Sequence, residues 1–598
     1  MLILKRLADR RRQMTALCVA ATIVVATAVF AIVAAAQTAP PTLQSILPQD
    51  SVIAGSVQSD WLWTTTASLR AIPQVSKAIS DMNTQSGMSF ENDVQPWAGQ
   101  IGVSFFNPTK DDANVAVYVE IKDPAKFAVS MVKLQTEWKN PPADAKPGTF
   151  PQFATRDYNG TTVYDATQKP TYSGPHADKI NSEPVSFAIL NGWAIMGIGK
   201  GAIEHALDVY QGKFPSMASS ATWSSVIGNL PAGANGWVGL DVPAILKASQ
   251  TASTQVPGAM ANSFQAAVGF AITDEGNGLR FDAVSSPLSD KAKAMYANMA
   301  HALPPVSGDI LTRVPDAVFA AMFTNPSYYW TLIKTSMLDT ATSADQRKQM
   351  EAGLKQAASV EATVPYFHKD AGLVLTWRKD RGFGLVLLAH ADSHEAALHA
   401  ASAIATSLKQ LGIPLERGGS SWATAIPGLD MMVPPTVPVK LEPFMSAKDD
   451  WLVVGSSPSW TASTSTPNLQ MPASASGAPI VYLAKMNWLP PLLDVIEQQA
   501  PAGNTDAKQG FAIVRGLHLE NSEYTSVCHF DPAGTWSTGT SEITGWDWHS
   551  ALDNTVSAIE NWKSAPAPAN PAGHDLLKPD ATTSTQPSAS AGRTASAN

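Results

Sequence analysis

Residues 47–57 read LPQDSVIAGSV and residues 314–323 read VPDAVFAAMF. Each is a proline-led strand pattern followed by aromatic residues, Trp61 in the first case and Tyr328 and Trp330 in the second. Pro48 and Pro315 stand 267 positions apart. Three more signposts recur in the same order. VAVYVEI (115–121) runs into Asp123-Pro124, and GLVLLAH (384–390) runs into Asp392. FAILNGWAIMGIG around Trp193 is matched by MSAKDDWLVVGSS around Trp451, and GWVGLDVPAIL from Gly236 by IVYLAKMNWLPPLL from Ile480. Each set closes on strand-like segments, AAVGFAIT and LRFDAVS, then FAIVRGLHL and YTSVCHF. A recurrence this long indicates a tandem duplication rather than a short-period solenoid.

The segments after the aspartates carry helical periodicity. Asp123 suits an N-cap and Pro124 the first helical position, with Phe127, Met131, Leu134 and Trp138 on one face. In the second set Asp392 is the expected cap, Ala397, Ala400, Ile404, Leu408 and Leu411 form the stripe, and Gly412 the stop. The expected class is α+β: a duplicated, mainly antiparallel sheet with helices packed on one face. The expected divisions are 44–295 and 296–545. A last amphipathic helix over 546–563 is marked by Trp548, Leu552, Val556, Ile559 and Trp562. Residues 564–598, rich in Ala, Pro, Ser and Thr, have too little apolar surface to offset chain entropy and read as disordered.

At the other end, Lys5, Arg6, Arg10, Arg11 and Arg12 precede an uncharged run, Met14 to Ala36. That run matches the ~20 apolar residues a membrane-crossing helix needs. The basic cluster stays cytoplasmic, so everything after the linker 37–43 is expected on the extracytoplasmic side of a bacterial cell membrane. Ala34-Ala35-Ala36 before Gln37 is also a processing pattern, so a cleaved signal stands beside a retained anchor.

The chain has two cysteines, Cys18 in the apolar run and Cys528, which leaves the exported part without an internal disulfide. Without residues 1–36 there are 36 basic residues against 49 acidic ones. A diffuse acidic surface excludes nucleic acid and peripheral binding to anionic headgroups.

The pieces LPQDSVIAGSV, FENDVQPWAGQIGVSF, YNGTTVY, FAILNGWAIMGIGKGAIEHALDVYQG and LPAGANGWVGLDVPAIL, in this order, resemble a bacterial extracytoplasmic family known as domain of unknown function 3352. The resemblance spans roughly residues 44–285 and is echoed more weakly in the second copy. It implies an N-terminal membrane segment and an exported domain, and it supplies no activity and no catalytic residue.

Several constellations fail their own chemistry. Gly197, Gly199 and Gly201 read GxGxG, and Lys200 lacks the Walker spacing, so a turn between strand and helix is expected there. His394 and His399 are five positions apart, which puts them about 140° apart on a helix and unable to share a zinc ion; His390 belongs to the preceding strand. Ser456 and Ser457 are followed by Pro458, where an oxyanion-hole helix would begin. The carboxylate pairs Glu91/Asp93 and Asp449/Asp450 are expected as solvated charge, and Cys528 as an inert strand thiol. No catalytic, metal-binding or cofactor residue is assigned. Seventeen tryptophans remain, among them Trp61, Trp63, Trp193, Trp237, Trp451 and Trp488 at element junctions; they suit core packing or a surface for envelope glycan or lipid.

The functional expectation is a membrane-tethered, non-catalytic envelope protein with a binding or scaffold role, its partner an envelope lipid or protein. The alternatives are a lipid or lipoprotein carrier, in which Leu373–Leu375 and Leu385–Leu388 would line the cavity, and an unrecognised hydrolase.

Overall fold

The computed structural model describes residues 40–564 other than 68–69, 71–74, 78, 81–82, 84–88, 107–113, 140–151, 169–182, 251–265, 340, 342, 357, 380–381, 411–412, 414, 424–441, 462–465 and 500–504. The expected membrane segment Met14–Ala36 and the expected disordered tail lie outside these residues. Among the described residues no helix is long and apolar enough to cross a membrane.

Among the described residues, ten strands occupy the first half: β1 (Ser51–Gln58), β2 (Ala98–Phe106), β3 (Asn114–Ile121), β4 (Gln152–Tyr158), β5 (Thr161–Gln168), β6 (Val185–Leu190), β7 (Trp193–Ile198), β8 (Gly236–Asp241), β9 (Ala266–Asp274) and β10 (Gly278–Pro287). Ten follow in the second half: β11 (Ala317–Thr324), β12 (Asp370–Arg378), β13 (Gly382–His390), β14 (Glu416–Gly418), β15 (Ser421–Ala423), β16 (Phe444–Lys448), β17 (Trp451–Gly455), β18 (Ile480–Lys485), β19 (Glu523–Phe530) and β20 (Ser537–Thr544).

All pairings are antiparallel, and their order is the same in both halves. In the first it runs β4-β5-β6-β7-β3-β2-β1-β8-β9-β10. In the second it runs β14-β15-β16-β17-β13-β12-β11-β18-β19-β20. Even the irregularities agree. β1 bulges against β2 between Ser51 and Ile53, and β11 bulges against β12 between Ala317 and Phe319. The halves join edge to edge through β10 and β20, with Gly278 opposite Thr544 and Ser285 opposite Ser537, so one sheet runs through the molecule. That pair removes two edge strands.

Successive side chains alternate between the faces of this sheet. One face is closed over both halves, apart from the join between them, where Arg280 and Glu542 stay partly exposed. Ala54, Phe106, Tyr118, Trp193 and Ile195 pack there on the helices Leu43–Ile46 and Ala202–Tyr210. In the second half Ala320, Met322, Val374, Val386, Trp451 and Val453 pack on Ile310 and Leu311 of the helix Asp309–Arg313. Gly102 and Gly372 make this approach possible. A Cβ on Gly102 would lie 2.6 Å from Leu43, and one on Gly372 would lie 2.9 Å from Ile310.

The opposite face is covered at its two outer parts. Val117, Val119, Phe187 and Met196 lie under Phe127 and Met131 of the helix Pro124–Lys139. Met445, Ala447 and Leu452 lie under Ala397, Ala400 and Ala401 of the helix His394–Gln410. Helices therefore flank both faces, not the one expected, because runs such as VAVYV in β3 are apolar on both sides and need two cover layers. Two local expectations are also corrected. FAIVRGLHL is not a strand; most of it ends the helix Thr505–Gly516. The helix after β13 is capped by Ser393, whose Oγ accepts from Ala396 N, while Asp392 faces His368 at 2.9 Å. Asp123 does cap its helix, accepting from Lys126 N at 3.0 Å.

Candidate functional site

Between the two covered parts, the middle of the second face carries apolar side chains that remain open. Val238 on β8, Phe270 on β9, Phe281 on β10, Tyr482 on β18 and Leu385 and Leu387 on β13 are between 36% and 47% exposed. The register places all but Leu385 in two adjacent rows; Leu385 lies in the row beside the first, with Leu375, Phe319 and Ala484. Phe281, Ser541, Ser526, Tyr482, Ala321, Leu373 and Leu387 are successive cross-strand partners. Val238, Phe270, Ala283, Gly539, Cys528, Ile480, Phe323, Ala371 and Ala389 form the next. Neither row contains a charged residue. The first crosses seven strands, about 29 Å at the usual spacing between strands. Small residues, Ser541 and Ser526 in the first row and Gly539 in the second, leave the floor low on β19 and β20.

Of the helices on this side, Asp290–Ala302 packs on β10 and β19, with Tyr296 hydrogen-bonded to Ser285 at 2.8 Å and edge-on to Phe530, whereas others do not settle onto the strands. Leu489–Gln499, Thr505–Gly516 and Trp548–Ser564 pack chiefly against one another. Pro326–Asp339 reaches the floor through Tyr329, whose ring meets Phe323 edge-on at 5.6 Å, while Ile333 and Met337 of the same helix stay exposed. The Tyr329 hydroxyl is buried without a hydrogen-bond partner. Burial, then the proximity of Cys528 and Tyr482, pushes its pKa above the usual phenol range. The arrangement is an apolar trough with a loosely fitted roof and one unsatisfied donor in its wall.

Asp274 ties the roof down at one end. It accepts from Trp61 Nε1 (3.1 Å), Trp548 Nε1 (3.4 Å) and His549 Nε2 (3.0 Å), and from Gly276 N at 2.9 Å. The same carboxylate thereby holds the helix Ser59–Thr65 and the last helix.

A cleft of about 540 Å³ opens at the other end of the trough, lined by Asp316, Trp377, Gln470, Lys485, Asn487 and Trp488 among others. It continues the floor. Leu375 pairs with Leu385, and two residues along, Trp377 pairs with Phe383. Phe383 touches Trp377 at 4.6 Å and Trp488 at 5.3 Å between ring centroids.

The model of the family described as "Protein of unknown function (DUF3352)" matches residues 14–416. The chain belongs to this family. No curated protein matches it. Two solved structures of TP0453, in crystal forms I and III, are similar to it at TM-score 0.24, with identities of 8% and 10%. They match 45% and 46% of this chain and 90% and 92% of their own.

The residues weighed in the sequence do not converge on a catalytic group. Gly199 and Gly201 have positive φ in the turn from β7 into the helix Ala202–Tyr210, and Gly197 lies against Ile203. His390 Nε2 lies 2.6 Å from Asp450 Oδ2, its ring stacked on Trp451 at 4.4 Å, with Lys369 3.2 Å away. His394 instead faces the Asp449 carbonyl, and His399 packs on Tyr366. Among the described residues no group of histidine, cysteine and acidic side chains is arranged to hold a metal ion. Nor does a serine or cysteine side chain hydrogen-bond to any of these imidazoles. Asp450 is thus paired rather than solvated. Burial raises its pKa, but hydrogen bonds led by His390 and the charges of His390 and Lys369 hold it below the usual carboxylate value. Asp93 is likewise buried and paired, accepting from Lys133 Nζ at 2.7 Å; as a solvated charge it was misread. Ser456 exchanges hydrogen bonds with the Leu385 backbone. Cys528, on the trough floor, has its thiol pushed up to about 11 by burial. The trough and the cleft were not legible as sites. Leu385 and Leu387 stand out in the sequence, but only strand register shows that Leu387 lines up with Phe281 and Tyr482.

Proposed function

We propose that this chain is a non-catalytic lipid-binding protein, built from a tandemly duplicated unit and tethered by Met14–Ala36 on the extracytoplasmic side of the cell membrane. The observation that supports the reading is the pair of uncharged cross-strand rows with partly open apolar side chains, under helices that pack on each other. Exposed apolar patches of this extent mark binding surfaces. A floor without charge suits an acyl chain better than a protein surface, since protein interfaces carry a polar rim. The unpaired Tyr329 hydroxyl gives an ester or carboxyl group one fixed hydrogen-bond donor. An acidic chain that avoids anionic surfaces is suited to hold a lipid away from the bilayer's headgroups.

Native mass spectrometry of the full chain, released from detergent micelles, tests the reading. A lipid adduct is expected on the wild type and is expected to be lost in the Phe281→Asp, Leu387→Asp double variant. No adduct on either, or the same adduct on both, overturns it and returns the scaffold reading to first place.

A further inference from the structure

The cleft at the end of the trough is unlike the trough. Its walls include two tryptophans, and among its polar groups Asn468 donates to Ala317 O and Lys485 pairs with Glu523, while others keep free hydrogen-bonding capacity. The side-chain amides of Gln470 and Asn487 make no hydrogen bond among the described residues, and both residues are exposed. Asp316 Oδ2 is buried and accepts no hydrogen bond; its nearest cation, Arg378 Nη1, is 3.7 Å away. A buried carboxylate oxygen without a donor costs free energy unless a ligand supplies one. Lys485 is already engaged by Glu523 at 3.0 Å, so among the described lining residues there is no free cation to hold a phosphate.

The equivalent place in the first half is filled differently. By the shared bulge, Asp50 occupies the position of Asp316, and there His205 Nε2 satisfies it at 2.9 Å. In the second half the hydrogen-bonding imidazole is replaced by a longer ion pair to Arg378, and two tryptophans stand beside it.

We infer that this cleft, lined by Trp377 and Trp488 around Asp316, Gln470 and Asn487, binds a neutral sugar ring, the polar head of the ligand whose chain lies in the trough. A pyranose presents a C–H face to an indole and a ring of hydroxyls to amides and carboxylates, and the Gln470 and Asn487 amides and the Asp316 oxygen that accepts no hydrogen bond can each accept from or donate to a hydroxyl. The volume of about 540 Å³ lies within the ~300–1,000 Å³ of small-ligand sites. The head sits where the floor ends, since Trp377 and Phe383 continue the file of Leu375 and Leu385. The inference rests on the lipid-binding reading, from which its test separates it.

The full chain is placed in phosphatidylcholine nanodiscs and titrated, by tryptophan fluorescence, with monoglucosyl diacylglycerol, unglycosylated diacylglycerol and soluble maltotriose. An anthroyloxy-labelled fatty acid serves as the probe for the trough. The glucosyl lipid is expected to bind at least tenfold tighter than diacylglycerol. Asn487→Ala and Asp316→Asn are each expected to remove most of that preference while leaving the fatty-acid probe unchanged. Asn487 makes no side-chain hydrogen bond among the described residues, so its variant is not expected to disturb folding. Equal binding of the two diacylglycerols with intact fatty-acid binding overturns the sugar site and leaves the lipid reading standing. Maltotriose binding as tightly as the glucosyl lipid, with fatty acid unbound, keeps the sugar site but assigns it to free glycan and removes the trough's lipid. Failure of every probe overturns both.

Discussion

His549 and Asp274, separated by 275 positions of sequence, meet at 3.0 Å, and through that contact the last helix is fastened to the end of β9. Trp61 and Trp548 donate to the same carboxylate. Asp274→Ala leaves three side-chain donors without their acceptor, a loss of about 1–3 kcal/mol. Amide hydrogen exchange over residues 548–557 is expected to accelerate while the strands of β1–β3 stay protected. Unchanged exchange there would show that the carboxylate fastens nothing.

The same clamp sets a pH dependence. Burial raises the Asp274 pKa, but the Gly276 amide, the two indoles and His549 overcome it and leave it below the usual 3.8. A depressed carboxylate contributes stability that is present above pH 3.8 and is lost as pH falls through its folded value. The melting temperature of the wild type is therefore expected to fall more steeply below about pH 4 than that of Asp274→Asn. Parallel curves would contradict this.

Neighbours on β13 are expected to behave oppositely. Leu387 is 47% exposed on the trough floor and Leu388 is 2% exposed on the closed face. Leu387→Asp is expected to change stability by no more than about 0.5 kcal/mol, whereas Leu388→Asp buries an unpaired charge and costs more than about 4 kcal/mol. Denaturant titration of the two variants gives the comparison, and similar midpoints would mean that the floor is a filled core.

Cys528 reports on the trough. With its thiol pushed up to about 11, reaction with a thiol reagent at pH 8 is expected to be slow and to rise about tenfold per pH unit. Its contribution to stability is present below pH 9 and lost as pH rises through about 11. Bound fatty acid is expected to slow the reaction further; unchanged rates would remove the thiol from the ligand's path.

Gly102 and Gly372 make matching predictions in the two halves. Valine at either position meets Leu43 or Ile310 from the first carbon onward and is expected to cost about 1–3 kcal/mol by overpacking. A denaturation midpoint that shifts for one and not the other would show that the short helices seat differently.

Much of the architecture could be read from recurring local chemistry. Trp193 opens β7 and Trp451 opens β17, and Gly236 and Ile480 open β8 and β18, where the repeated signposts put strands. The closing strand of the second half was displaced because Phe511, Ile513 and Val514 read as an extended run, whereas the twelve-residue helix Thr505–Gly516 contains them. Helical packing on neighbouring helices decided between the two. The trough escaped the sequence for a different reason. Phe281 and Tyr482 are joined through Ser541 and Ser526, and a row made by cross-strand neighbours has no signature along the chain.

The join between β10 and β20 has one more consequence. Antiparallel pairing of the last strand of one half with the last strand of the other is the geometry of a two-fold interface, such as two separate copies would form on meeting. Here both partners belong to one polypeptide, so their association does not depend on protein concentration. A true homodimer must also carry every change twice. In this fused pair, one lobe keeps an aspartate hydrogen-bonded by His205 while its counterpart, Asp316, has only a longer ion pair to Arg378 beside two indoles.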